Sequence, residues 1–105
     1  MFRVSVLYPS RDGARFDFDD YLQRHTPMVE GKLGAALKGI SIDRGVAGLQ
    51  PGTAAPFVIA CHLLFDSQQA FLDAFLPHAA EITADIARYT DIQPVIWMNE
   101  VLVSR

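Results

Sequence analysis

Cysteine is almost missing from this chain of 105 residues. Cys61 stands alone inside an apolar run, so no intrachain disulfide can form and a buried, inert thiol is expected there. Positive charge is also sparse: nine Lys and Arg face twelve Asp and Glu, for a net charge of −3, and the basic residues are scattered without forming a stripe. That distribution argues against nucleic acid or an acidic membrane as a partner. No apolar run approaches the length of a membrane span. The opening FRVSVLYPSRDG lacks the basic lead, long apolar centre and small-residue cleavage site of a secretion signal, so a cytoplasmic location is expected. The motifs of metal and nucleotide sites are missing too. The three histidines show neither HxH nor HExxH spacing, and GVAGLQPG has neither the Lys-Ser/Thr ending nor the strand-to-helix setting of a phosphate loop. No metal is therefore expected, and no GxSxG elbow for a serine nucleophile is present either.

What is present is apolar residue, half of the chain, enough for one core and one domain over 1–105. No internal repeat or low-complexity tract divides it. FRVSVLY alternates Phe2, Val4, Val6 and Tyr8 on one side and stops at Pro9, which predicts the first strand. FDFDDYLQRH carries its acids early and repeats Phe18, Tyr21, Leu22 and His25 at helical spacing, a short helix, with Thr26-Pro27 read as a second helix start. Ile40 and Ile42 alternate with Ser41 and Asp43 in a half-exposed second strand. The nearly unbroken apolar run FVIACHLLF (57–65) predicts a third strand covered on both faces. Asp66-Ser67 caps a further helix that Pro77 interrupts, and QPVIWMNEVLV predicts a last strand reaching Val103.

The order strand, helix, strand, strand, helix, strand is the split βαβ pattern of a ferredoxin-like α+β domain with a four-stranded antiparallel sheet. Two helices cover one face of such a sheet. Strands apolar on both faces need a cover for the other, and a second copy of the sheet is the simplest one, so a homodimer paired as an α/β barrel is expected; the alternative is a monomer with an apolar face in water.

Two stretches carry a family resemblance. YPSRDGARFDFDDYLQRHTPMV (8–29) and ADIARYTDIQPVI (84–96) resemble the opening and closing motifs of the EthD family, and with the elements between them the likeness covers nearly the whole chain. The resemblance implies a dimeric α/β barrel without a cofactor, a cavity between sheet and helices or toward the dimer centre, and a place in small-organic-compound metabolism. It leaves the reaction open among decarboxylases, dehydratases and cyclases, and includes members with no established role.

His25, which also matches the family's histidine, is the first candidate catalytic residue, because an imidazole before Pro27 titrates near neutral pH; the competing reading has it capping the first helix. Tyr8 is the second, its hydroxyl placed at a strand end to hold a developing oxyanion. His62 interrupts an apolar strand and needs a partner, with Ser5, Asn99 and Glu100 as candidates; it either faces a ligand space or is a satisfied core histidine. Phe16, Tyr21 and Trp97 are candidate ligand-binding aromatics, or simply core, and Asn99 joins them as a polar group able to polarise a carbonyl. Three readings follow: a cofactor-free lyase, isomerase or cyclase using His25 on a small apolar or aromatic ligand; a non-catalytic small-molecule-binding or accessory dimer; and a haem-linked oxygenase with His25 or His62 as the iron ligand.

Overall fold

A computed structural model describes all residues, 1–105. Four strands, β1 (Phe2–Pro9), β2 (Gly39–Arg44), β3 (Phe57–Phe65) and β4 (Val95–Glu100), form one antiparallel sheet in the order β2-β3-β1-β4. The helices α1 (Phe18–Asp20) and α2 (Thr26–Leu33) lie between β1 and β2, and α3 (Gln68–Phe75) and α4 (Ala79–Tyr89) lie between β3 and β4. This is the expected ferredoxin-like fold.

β1 ends where Pro9 withdraws a backbone donor, and the ladder to β3 shifts register between Tyr8 and Pro9. The Ser67 hydroxyl caps α3 by accepting from the Ala70 N–H. A 3₁₀ turn over Leu76–His78 then carries the chain past Pro77 into α4.

Two expectations are corrected. Thr26-Pro27 does not restart a helix: α1 runs on through a π-helical turn, Tyr21–His25, into α2. A regular turn would press the Pro27 ring against the carbonyl four residues back and leave that carbonyl without a donor. The wider turn relieves this, and the Tyr21 carbonyl receives both the Thr26 N–H and the Thr26 hydroxyl, the latter at 2.8 Å. The last strand also stops at Glu100 and not at Val103. Glu100 pairs with Phe2 at the start of β1, so past it only the Met1 carbonyl is left to receive the Val101 N–H, at 3.1 Å.

The register assigns the two faces of the sheet. Phe2, Val4, Val6 and Tyr8 share the helix-covered face with Ile59, Cys61, Leu63 and Phe65 of β3, and with Ile96 and Met98 of β4. Tyr21, Val29, Leu33, Phe71, Ile82 and Tyr89 pack down on them to complete the core. The opposite face carries Arg3, Ser5 and Leu7, Ser41 and Asp43, Val58, Ala60, His62 and Leu64, and Val95, Trp97 and Asn99. Nothing in the chain covers it. β3 is therefore covered on one face only, and edge strand β4 leaves Trp97 43 % exposed and Val95 49 % exposed.

Phe65 is fully buried and packs edge-on against Phe71 with ring centroids 5.1 Å apart. Phe65→Ala is expected to lower the unfolding free energy by about 3–5 kcal/mol, through lost transfer energy plus the void left behind. Urea denaturation measures it, and a loss well under about 1 kcal/mol would contradict this packing.

Candidate functional site

Between the helices and the sheet lies a cavity of about 310 Å³ lined by twenty residues, seventeen of them hydrophobic. Tyrosine hydroxyls aside, its polar groups are His25, Thr26 and Thr83; no Lys, Arg, Asp or Glu reaches its wall. Val4, Val6, Ile40, Ile42 and Ile96 form much of the sheet side.

His25 closes one part of this space, and its ring is tied to α4. Nδ1 lies 2.6 Å from the Asp85 carboxylate, whose other oxygen accepts from Arg24 at 2.8 Å. Arg24 is gripped in turn by both carboxylate oxygens of Asp20, at 2.7 and 2.6 Å. On the other side, Nε2 stands 3.4 Å from the Tyr89 hydroxyl, and Tyr89 is 2.5 Å from the hydroxyl of Tyr8. His25 stacks on Tyr21 with centroids 5.7 Å apart. Local structure makes this possible: in the π turn Tyr21 and His25 both face the core, and on α4 Asp85 and Tyr89 are one turn apart.

Burial favours the neutral ring and lowers the His25 pKa below the usual imidazole value, outweighing the hydrogen bond to Asp85, which works the other way. Burial alone would raise Asp85, but the hydrogen bonds from Arg24 and His25 together hold it below the ordinary carboxylate range. The pair at neutral pH is then a carboxylate accepting Nδ1–H from a neutral imidazole, which leaves Nε2 as the unprotonated nitrogen. Burial also pushes Tyr8 up to about 12, and Tyr89 and Tyr21 further, so all three hydroxyls keep their protons. Of the bonded pair, Tyr8 is the one that lines the cavity. Burial pushes Cys61, on the same wall, up to about 11, so it remains a thiol.

Of the residues singled out in the sequence, His25, Tyr8 and Tyr21 come together here. Phe16 stands behind them, 5.2 Å from Tyr8 and 5.3 Å from Tyr21 by ring centroids, as part of the aromatic packing and not of the cavity wall. His62 and Asn99 do not join, and Trp97 is among the residues that line the cavity where β4 borders it, but the pairing of Ser5 with Trp97 and His62 and of Arg3 with Asn99 puts all three side chains on the uncovered face. Asn99 is thus on the wrong side of the sheet to polarise a carbonyl held by His25. His62 is bonded to Ser5 at 3.0 Å; Glu100 stands on the helix side and is not its partner. His25 does not cap a helix, since its ring nitrogens face Asp85 and Tyr89.

Asp85, Tyr89 and Arg24 were not recognised in the sequence. The signal for the first two was an acid within the stripe Ile82, Asp85, Ile86, Tyr89, where an apolar face requires a charge partner. No comparable pattern marked Arg24.

A ferredoxin-like α+β domain with an apolar cavity roofed by its helices is the class that these features define. The chain belongs to the EthD family: the EthD domain matches residues 14–93. An EthD-like protein from Ralstonia eutropha JMP134 is 44 % identical, with a TM-score of 0.93 over 99 % of this chain and 94 % of that one. An ethyl tert-butyl ether D (EthD) family protein from Bacillus halodurans C-125, at 17 % identity, shares the fold with a TM-score of 0.74 over 97 % of this chain and 99 % of that one. A dimeric protein of unknown function and ferredoxin-like fold from Bacteroides fragilis, at 15 % identity, does so with a TM-score of 0.54 over 95 % of each chain. No match is found among curated proteins.

The two shifts set a pH dependence of stability. His25 has a folded pKa below its unfolded value of 6.5, so below that value the unfolded chain binds the extra proton and stability falls with pH. Asp85 is depressed below 3.8, and its contribution, present above that value, is lost as pH falls through its folded pKa. The midpoint of urea unfolding is expected to fall as pH drops from 7 toward 5, and His25→Asn to flatten that part of the curve. An unchanged slope in the variant would remove the neutral, buried imidazole.

Proposed function

We propose that this EthD-family protein is a cofactor-independent enzyme, a lyase, isomerase or cyclase, acting on a small, uncharged, largely apolar compound that bears a carbonyl group. The supporting observation is the His25–Asp85 pair beside the Tyr8 hydroxyl at the edge of a cavity with no charged lining. A charged ligand would enter such a space without a counter-ion, whereas a neutral carbonyl compound needs only one or two hydrogen bonds.

In the proposed step, Nε2 of His25 takes a proton from the carbon next to the carbonyl. The C–H electron pair moves into the enolate, whose oxygen accepts from Tyr8; with Tyr89 as the donor in the Tyr8–Tyr89 hydrogen bond, the Tyr8 proton is free for this. Asp85 stabilises the imidazolium so formed, and Nε2–H then faces the Tyr89 oxygen. Returning the proton to another carbon isomerises the compound, expelling a group from the β carbon completes an elimination, and attack of the enolate carbon on a second carbonyl closes a ring.

We further infer that the chain works as a homodimer paired through its uncovered sheet face, and in the cytoplasm. Val95 and Trp97 beside Leu7, Val58 and Leu64 make an apolar surface that association would shield. The description of the Bacteroides fragilis structure as dimeric is in keeping with this. Light scattering is expected to give twice the chain mass, and Trp97→Asp to give the monomer; a monomeric parent protein overturns the pairing.

The chemical step is tested by following the methyl protons of acetophenone in D₂O by NMR. Exchange above buffer is expected, with His25→Asn reducing it by about 10²–10⁴-fold and Tyr8→Phe by less. If acetophenone binds but the parent protein and His25→Asn exchange it equally slowly, the enzyme reading fails and a binding protein remains.

A further inference from the structure

One polar group on the wall of the His25 cavity has no task in the proton transfer. His25 and Tyr8 carry that step, and the Thr26 hydroxyl is engaged by the Tyr21 carbonyl at 2.8 Å. Thr83 sits exposed on α4. That leaves the hydroxyl of Tyr21. This residue is only 3 % exposed, yet its hydroxyl bonds to no oxygen or nitrogen of the chain; the polar group beside it is the Cys61 thiol, a weak acceptor on the same wall. No sealed side-chain oxygen or nitrogen in the structure is without a partner, so the Tyr21 oxygen is one that the cavity reaches.

A phenol hydroxyl in an apolar space remains costly until an acceptor faces it. The Tyr21 ring cannot turn away to find one elsewhere: it stacks on His25, and the rings of Tyr8 and Tyr89 stand 6.0 and 5.0 Å from it by centroids. Nor does it give up its proton, because burial, with Cys61 and Tyr8 adding to the effect, pushes its pKa far above the ordinary phenol value. The wall thus holds one base, Nε2 of His25, and two fixed hydroxyl donors, Tyr8 and Tyr21.

We propose that the cavity selects compounds with two neutral oxygen acceptors flanking one carbon, of which 1,3-diketones are the simplest: Tyr8 donates to one oxygen, Tyr21 to the other, and the carbon between them faces Nε2 of His25. The assignment rests on the reading of this cavity as the site of a neutral carbonyl compound, and Tyr21 narrows that class. Two carbonyls make the C–H between them far more acidic than one does, which suits a neutral imidazole as the base. When that bond breaks, the proton goes to Nε2 and the electron pair spreads over both oxygens, each of which has a donor.

1-Phenylbutane-1,3-dione and 1-phenylbutan-1-one share one skeleton and differ in the second carbonyl. In calorimetric titrations at pH 7 the parent protein is expected to bind the dione about tenfold or more tighter, and Tyr21→Phe to bring the two affinities within about twofold of each other. Tyr8→Phe, which removes the donor that both ketones share, is expected to weaken both and keep the preference. Equal affinities in the parent protein overturn the proposal, a comparison that needs no variant to fold. So does a preference that Tyr21→Phe leaves intact. Failure of both ketones to bind overturns it together with the carbonyl reading. The reaction is decided separately by acetophenone exchange: a preference for the dione that depends on Tyr21, with no exchange of acetophenone, supports this site and removes the enzyme.

Discussion

The Asp85 carboxylate is the constraint around which the candidate site is arranged. It lies on the apolar side of α4, where an unpaired charge would be costly, and it persists because Arg24 donates to one oxygen and His25 to the other. Those donors come from the π turn on the neighbouring helical segment, so the same contacts that satisfy the charge lock α4 against the helices before β2. A buried charge pair of this kind adds little net stability over an apolar equivalent. Its effect here is orientation: it selects the imidazole tautomer and aims Nε2 at the tyrosine hydroxyls.

Pro27 and the family motifs follow from the same arrangement. The wide turn demanded by Pro27 sets the facing of Tyr21 and His25, and the two motif stretches meet in space. Phe16 pairs with Thr90 in an isolated bridge, the Thr90 hydroxyl donates to the Arg15 carbonyl at 2.6 Å, and the Arg15 side chain donates to the carbonyls of Ala87 and Arg88 at the end of α4. Arg11 and the Arg15 backbone both engage Asp91. A clasp of backbone and side-chain bonds thus holds Tyr8 and Tyr89 together. That is a physical reason for the residue pattern in segments that would otherwise read as loops.

One sheet separates two unlike surfaces. On the helix side, β-branched and aromatic residues enclose an apolar cavity with a single imidazole; on the other, a hydrogen-bonded row of Ser5, His62 and Asn99 is set among apolar neighbours. Side chains alternate between these faces at every residue, so Val6 and Ser5, or Ile96 and Trp97, take part in different chemistry although they are adjacent in the chain.

By itself the sequence determined the element order, and through it the fold, because periodicity and breakers are local properties: FVIACHLLF is β3 residue for residue, and Ser67 caps the helix it was read to cap. His25, Tyr8 and Tyr21 were legible as candidates for the same reason, each being an unusual residue at a turn or strand end. Only the tertiary structure decided which of them meet. Asp85 and Tyr89 reach His25 and Tyr8 across 60 and 81 positions of chain, distances over which no local pattern operates. The separation of His62, Trp97 and Asn99 from His25 likewise depended on strand register, which places a residue on one face or the other and is fixed only when β1 pairs with β3 and β4.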